Sequence, residues 1–414
     1  MKQQKTNNWQ IKKLGEVFII ERGGSPRPIE DYITDAIDGI NWIKIGDTKG
    51  VTKYITKTKE KIKPEGLKKS RMVYEGDFIL SNSMSFGRPY IMKTSGCIHD
   101  GWLVIRKNEK INNDYLYYVL NSNQVYSQFS SLAKGSTVKN LNISAVQQVE
   151  IPLPPLETQH AIVSKIEELF SELDKGIAEL RTAQQQLKTY RQSVLKSAFE
   201  GKLTNDNVKE GELPDGWKSK SLKGLVLKVE KVKRKEVDEN EELIYLDIGG
   251  INNDSNRIEN YKKFFWKDAP SRAQQIVKQN DILFSTVRTY MKNIAIVDKE
   301  IYNNQIASSG FTVLRADSCV NYKYIYYNTI SDVFLNPLNE LQTGTSYPAV
   351  RDSDVLSQTI NLPSSSEEQH LIVQEIESRL SVADKMEQSI QESLQKAEAL
   401  RQSILKKAFC GELV

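Results

Sequence analysis

Two long stretches of the chain carry a helical pattern of apolar positions. In the first, apolar residues recur at Ile162, Ile166, Leu169, Leu173, Ile177, Leu180, Leu187, Val194 and Ala198. In the second they recur at Ile372, Ile376, Leu380, Ala383, Met386, Ile390, Leu394, Ala397, Leu400, Ile404 and Ala408. Steps of three and four place one apolar stripe on each helix, as in a coiled coil. Residues 157–199 contain no proline and one glycine, Gly176, while Pro154-Pro155 and Pro363 stop what precedes each helix. Gly201 and Gly411 stand where C-terminal caps belong. Each helix spans roughly 40 residues, about 60 Å at 1.5 Å per residue. A stripe of that length cannot be covered by a small domain and needs another long helix. The expected seam is Ile162, Ile166, Leu173, Leu180 and Leu187 against Ile372, Ile376, Ile390, Leu394 and Ile404. Periodicity leaves two partners open: the other helix of the same chain, antiparallel with a domain at each end, or a second chain in a dimer. The equal, gapless length of the two helices favours internal pairing, which would fix the distance between the domains as a ruler does.

Outside the helices the pattern is short and mixed. Residues 42–45, 243–246, 78–80 and 282–284 have the β-rich runs of strands, and 115–120 and 324–330 those of short helices whose tyrosine pairs pack into a core. The expected fold class is α+β: two similar mixed α/β domains, each followed by a long helix, the helices pairing with pseudo-two-fold symmetry. The predicted boundaries are 1–150 for the first domain, 151–204 for the first helix, 205–214 for a linker, 215–360 for the second domain and 361–414 for the second helix.

The two halves are copies of one unit. RQSVLKSAFEGKL at 191–203 and RQSILKKAFCGEL at 401–413 agree at nine of thirteen positions, 210 residues apart. The register runs back without a gap to Gln159-His160 and Gln369-His370. With small insertions it continues to INNDYLYY (111–118) and VNYKYIYY (320–327), and to GDFILS (76–81) and NDILFS (280–285). The period is far beyond that of stacked solenoid repeats, so these are duplicated domains. The stretches 48–72 and 251–276 hardly match. One scaffold therefore presents two different surfaces, a shape suited to a target with two half-sites.

Composition narrows the field. With 39% hydrophobic residues there is material for real cores, and a net charge of +4 permits nucleic-acid binding without requiring it. No run approaches eighteen apolar residues, so no membrane span is expected, and residues 1–10 lack the apolar core of a secretory signal. Cys97, Cys319 and Cys410 are odd in number and far apart, which suits a reducing cytoplasm and neither a disulfide framework nor a metal cluster. Catalytic motifs are missing. Lys202 after Gly201 fails as a phosphate loop, and Gly249-Gly250 is a plain turn more readily than a dinucleotide site. No His-Glu-x-x-His, paired-cysteine or Asn/Asp-Pro-Pro-Tyr/Phe pattern occurs. His160 and His370 lie near the helix starts without further ligands, and they, like His99, read as structural.

Basic stretches carry the remaining signal. Residues 53–71 hold eight Lys or Arg against two Glu, and 228–237 hold five against two. Either alone would be a solvated surface; one in each repeat favours phosphate neutralisation. The candidate DNA-binding residues here are Lys57, Lys59, Lys61, Lys63, Lys68, Lys69 and Arg71, with Lys231, Lys233 and Arg234 in the second copy. Loops of small residues let backbone amides and hydroxyls approach phosphates. They add Arg22, Ser25 and Arg27, then Ser136, Thr137 and Lys139, and in the second copy Thr345, Ser346 and Tyr347. Arg88, Arg288 and Lys292 follow the matched strands in polar loops and are the strongest side-chain candidates for base edges.

Taken together, the chain resembles the specificity subunits of Type I restriction–modification systems over nearly its whole length. The carriers are the two-fold repeat, IPLPPLETQ (151–159) entering a long helix, LKSAFEGKL (195–203) with its copy LKKAFCGEL (405–413), the GDFILS strand and the early Gly-Gly-Ser-Pro turn. The second copy departs at 364–366, where three serines replace Pro-Pro-Leu. The resemblance implies a non-catalytic subunit that reads bipartite double-stranded DNA, one domain per half-site. It also implies two methyltransferase subunits docked on the helices, using S-adenosylmethionine to methylate adenine, and two restriction subunits that can join with ATP and Mg. No cofactor is expected in this chain. The competing readings are a coiled-coil scaffold without DNA binding, an autonomous DNA methyltransferase, and the equivalent subunit of a Type IIB-like defence complex.

Overall fold

The structure is a computed structural model that describes residues 9–82, 86–133, 140–205, 207–209, 211–363 and 365–414. The chain divides into two compact units: residues 1–180 with 391–414, and residues 181–390. Each holds one mixed domain, the beginning of the long helix that follows it, and the end of the other long helix.

Both domains open and close alike. Gln10–Lys13 pairs antiparallel with Glu150–Leu153, and Lys218–Ser221 with Thr359–Leu362. Between them lie two sheets per domain. In the first domain one sheet runs Ile33–Thr34, Glu60–Ile62, Ile40–Ile43, Gly96–Ile98, Arg71–Val73, and the other Ile20–Arg22, Trp102–Ile105, Phe78–Ser81, Pro89–Met92, Tyr54–Ile55. The second domain repeats four strands of each, Lys262–Phe265, Glu242–Leu246, Ile306–Ser308, Ala273–Ile276 and Val226–Leu227, Phe311–Ala316, Ile282–Ser285, Ile294–Ile296, and among its described residues the edge strands matching Ile33–Thr34 and Tyr54–Ile55 are not formed. Its hairpin Ile251–Asn252/Arg257–Ile258 has no paired counterpart among the described residues of the first.

The unbroken apolar runs of the central strands follow from burial on both faces. Ile79, Trp102 and Val104 point into a core shared with the neighbouring sheet, while Phe78, Leu80, Leu103 and Ile105 point to the helices. In the second copy Leu283 and Val313 take the first role, and Ile282, Phe284 and Leu314 the second. The matched Gly76-Asp77 and Asn280-Asp281 also gain a reason. Gly76 and Asn280 sit at φ +91° and +69°, which glycine and asparagine tolerate best. Asp77 and Asp281 are buried and pair with Arg106 and Arg315, each at 2.8 Å.

The expected run 42–45 ends early. The strand is Ile40–Ile43, and Ile45–Thr48 forms a 3-10 turn because the Asp47 carboxylate accepts from Lys44 N–H at 2.8 Å. The short helices are Asn113–Leu120 and Tyr322–Thr329. Their core tyrosines are Tyr115 and Tyr324, whose hydroxyls donate to the carbonyls of Pro152 and Asn361; the pairs 117–118 and 326–327 are only half-buried.

The long helices are Leu156–Phe199 and Ser366–Phe409, 44 residues each. Gly201 and Gly411 end them at positive φ. Lys202 N–H donates to Ser197 carbonyl at 2.8 Å and Glu412 N–H to Lys407 carbonyl at 2.9 Å, as a Schellman cap requires. Each helix starts on its own domain and ends in the other. Ile404, Leu405, Ala408 and Phe409 complete the first domain's core beside Ile162, Ile166 and Phe170. Val194, Leu195, Ala198 and Phe199 do the same in the second beside Ile372 and Ile376. Phe409 meets Tyr115 edge-on at 5.6 Å, and Phe199 meets Tyr324 at 5.4 Å. The polar contacts are reciprocal as well: Arg401 pairs with Asp174, and Arg191 with Asp384 and Glu387. Gln402 and Gln192 accept from the N–H groups of Asn123 and Asp332, which open the next helices, Asn123–Leu132 and Asp332–Glu340. These antiparallel contacts lie within each unit. Of the predicted seam, Ile162, Ile166, Ile372, Ile376 and Ile404 are buried, and Leu173, Leu180, Leu187, Ile390 and Leu394 half-buried. Met386 and Leu400, 54% and 51% exposed, fall off the stripe that the periodicity drew. The helix surface that needs cover rotates as its neighbour changes from domain to helix to domain.

Candidate nucleic-acid interface

In the first domain, three predicted residues converge on Asp100. Ser25 Oγ donates to its carboxylate at 3.0 Å, Arg27 Nη2 reaches it at 3.4 Å, and Arg22 Nε donates to its carbonyl at 3.2 Å. The turn between them demands glycine. A Cβ on Gly23 would lie 2.1 Å from the His99 carbonyl oxygen, and one on Gly24 2.8 Å from that of Lys69. This close approach seats the turn against the Lys69 end of the basic run, where Lys69 Nζ donates to Tyr32 OH at 2.8 Å. Burial works to raise the Asp100 carboxyl, but the Ser25 hydroxyl, His99 and backbone bonding bring it below its ordinary value. It stays ionised and holds Arg27, while the backbone carbonyl of the same residue holds Arg22.

The rest of 53–71 does not form one patch. Lys53, half-buried among Tyr54, Tyr117 and Tyr118, pairs with Asp114 at 2.6 Å. Lys61 and Lys63 donate to the backbone carbonyls of Ile37 and Asp31 at 3.4 and 2.7 Å, and Arg71 pairs with Glu21 at 3.1 Å. The side chains of Lys57, Lys59 and Lys68 are exposed with no polar partner among the described residues. Arg88 is exposed beyond Phe78–Ser81, its N–H donating to Ser81 Oγ at 3.2 Å. Ser136, Thr137 and Lys139 lie outside the described residues.

In the second domain the basic run occupies the loop that holds the Arg22–Arg27 turn in the first. Lys231 bridges to Gln275 by its backbone, Lys233 pairs with Glu236 at 3.3 Å, and Arg234 donates to the carbonyls of Ala269 and Pro270. Arg234 therefore fastens a turn. The other candidates come together: Arg288 Nη2 donates to Ser346 carbonyl at 2.9 Å, and its guanidinium lies 5.0 Å from the ring centre of Tyr347. Thr345 is exposed beside them. Lys292 is committed to Asp332 at 2.7 Å. Sequence reading missed Tyr290, exposed on the same loop, and Asn256, which props that loop from the inserted hairpin. Both depend on long-range loop pairing that no local pattern signals.

Among the described residues no group of three His, Cys, Asp or Glu is placed to hold a metal, and no helix is long and apolar enough to cross a membrane. His160 lies 3.0 Å from Asn112 Nδ2, and His370 Nδ1 2.7 Å from Ser366 carbonyl. Their neighbours Gln159 and Gln369 are buried, each accepting at 2.9 Å from the N–H of Asn112 or Asn321.

Comparison with known proteins agrees with this architecture. Residues 6–180 and 214–396 match the family described as the Type I restriction modification DNA specificity domain. The Type I restriction enzyme EcoBI specificity subunit of Escherichia coli is 27% identical over 323 residues, 74% of this chain and 67% of that protein. A chain from a structure on complex assembly and conformational transition of the type I R-M system aligns with TM-score 0.73 and 19% identity, covering 99% of this chain and all of that one. The HsdS subunit from Thermoanaerobacter tengcongensis aligns with TM-score 0.56 and 20% identity, covering 98% of this chain and 97% of that one. With two matched domains on two long helices, the chain belongs to the Type I restriction modification DNA specificity domain family, as a non-catalytic specificity subunit.

Proposed function

We propose that this chain reads a bipartite site in double-stranded DNA, one domain per half-site, and directs adenine methylation by partner subunits. One observation carries the reading. Two domains that share a four-strand order in each of their two sheets present different loops, and each is completed by the end of a helix that starts on the other. Such helices can set a fixed gap between half-sites. At 44 residues each runs about 66 Å, a span suited to half-sites one to two duplex turns apart, with a turn of about 34–36 Å. Two methyltransferase subunits that bind S-adenosylmethionine would dock on the helices in the cytoplasm, and two ATP- and Mg-dependent restriction subunits could join. Val382, Met386 and Leu400 are apolar, exposed and off the seam, which suits surface for partners to cover.

The test is adenine-methylation mapping by long-read sequencing, in cells expressing this chain with its neighbouring methyltransferase and in cells with the methyltransferase alone. A bipartite motif with a fixed unspecified gap, appearing only with this chain, is the expected result. No chain-dependent motif from a co-purifying pair with an active methyltransferase would favour a scaffold without DNA reading.

A further inference from the structure

The loop that follows Ile282–Ser285 is held more tightly than a surface loop requires. Arg288 and Lys292 flank its short 3-10 turn, Thr289–Met291, and both lie in the left-handed region at φ +50° and +53°. Non-glycine residues persist there only when their surroundings fix them. Here three neighbouring segments do so: residues 343–349, the helix Asp332–Glu340 with Gln342 just past it, and the inserted hairpin. Arg288 N–H donates to Pro348 carbonyl at 2.7 Å, and Val287 bridges to Ala349. Thr289 Oγ1 bonds Asn339 and Gln342 side chains, each at 2.6 Å. Lys292 is tied to Asp332. From the inserted hairpin, Asn256, itself at φ +51°, donates its amide to the carbonyls of Lys292 at 2.8 Å and Ile294 at 3.2 Å.

What this rigid frame presents is exposed. Tyr347 is 73% and Tyr290 54% exposed. Arg288 is half-buried, its guanidinium over the Tyr347 ring, with one Nη2 hydrogen given to Ser346 carbonyl. Nε, Nη1 and the second Nη2 hydrogen have no partner among the described residues, so one edge of two parallel donors remains. A planar edge of paired donors matches O6 and N7 of guanine in the major groove. A polar cleft of about 780 Å³, lined by Gln184, Lys188, Asn253, Tyr290 and Asp332, opens beside Tyr290.

We propose that Arg288, oriented by Tyr347 and Ser346, reads a guanine in one half-site, and that Asn256 is the positioning residue that holds the reading loop in register. This rests on the bipartite-site reading and adds a residue and a base to it. Arg288 and Asn256 both belong to the second domain, so the effect belongs to one half-site.

The experiment is the same methylation mapping, with the full-length chain and its methyltransferase, for the wild type and Arg288→Ala, Arg288→Lys and Asn256→Gly. Glycine keeps the positive φ and removes only the amide. Arg288→Ala should relax one G·C position of one half-site, with discrimination there falling about tenfold to hundredfold. The other half-site and the gap should be unchanged. Arg288→Lys keeps the charge, loses the paired edge and should relax the same position. Asn256→Gly should relax that position more weakly. A uniform loss of methylation at every site, full discrimination in Arg288→Lys, or a wild-type motif from both arginine variants would each overturn the assignment. Wild-type discrimination in Asn256→Gly would overturn the positioning role. If the wild type itself gives no bipartite motif, the broader reading falls first.

Discussion

Asp281 shows how much one buried charge carries. Arg315 holds it through two nitrogens, at 2.9 and 2.8 Å, and little water reaches either group. Removing one partner of a buried pair leaves the other charge uncompensated, which costs about 3–5 kcal/mol. Asp281→Ala should therefore lower the unfolding free energy of the second domain by that amount in denaturant titration. Asp77→Ala should cost less, because Arg106 keeps Glu21 at 2.6 Å. His99 sets a pH dependence. Burial holds its imidazole below its ordinary value, although Asp100 works the other way. The unfolded chain then takes up a proton before the fold does, so stability is lost as pH falls below about 6.5. The thermal midpoint should drop on acidification from pH 7.5 to 5.5, and His99→Gln should drop less. Asp77 and Asp281, like Arg106 and Arg315, stand at matching positions of the repeat, but that each aspartate pairs with its arginine was not legible. Each arginine closes a strand about thirty residues further on, and pairing of that kind exists only once the sheet is formed.

At the level of elements, the best-matched stretches, 191–203 and 401–413, prove to be the plugs of the two domain cores. Phe409→Ala would open a cavity against Tyr115, at about 3–5 kcal/mol for a buried aromatic. Hydrogen exchange should then quicken in Asn113–Leu120 while Tyr322–Thr329 keeps its protection, and Phe199→Ala should reverse that pattern. The helices themselves were legible from period, proline stops and capping glycines. Their neighbours were not, because a stripe of apolar residues records that a face is covered and not by what. Met386 and Leu400 mark the limit. A period of 3.6 drifts against a straight seam over 44 residues, so a stripe drawn by steps of three and four strays onto exposed faces.

At the level of the whole molecule, affinity and reading draw on different residues. Phosphate contacts set the salt dependence of binding. Reversing Lys57, Lys59 and Lys68, whose side chains have no polar partner among the described residues, should weaken DNA binding broadly and reduce the salt slope by roughly one for each phosphate no longer neutralised. An unchanged slope would return them to plain solvated surface. Reversing Lys53 or Arg71 should instead destabilise the domain, since their charges hold Asp114 and Glu21. Inserting one heptad at matching levels of both helices should lengthen the gap between half-sites and leave the bases read at each unchanged, in the same methylation assay. Composition located the loops rich in basic and small residues but could not separate the lysines that fasten the fold from those left for a ligand. That division is made by carbonyls and carboxylates brought in from distant strands.

The exchange of helix ends also governs how the protein is made. Ile404 to Phe409, which finish the first domain's core, leave the ribosome about 250 residues after Leu153. At about 5–20 residues per second, that is a wait of roughly 10–50 seconds. Through that interval the nascent first domain holds an open apolar socket around Tyr115, Ile162 and Ile166, a natural client for a chaperone. The second domain has its plug, Val194 to Phe199, in hand before its own strands emerge. The half made first is therefore the half that matures last.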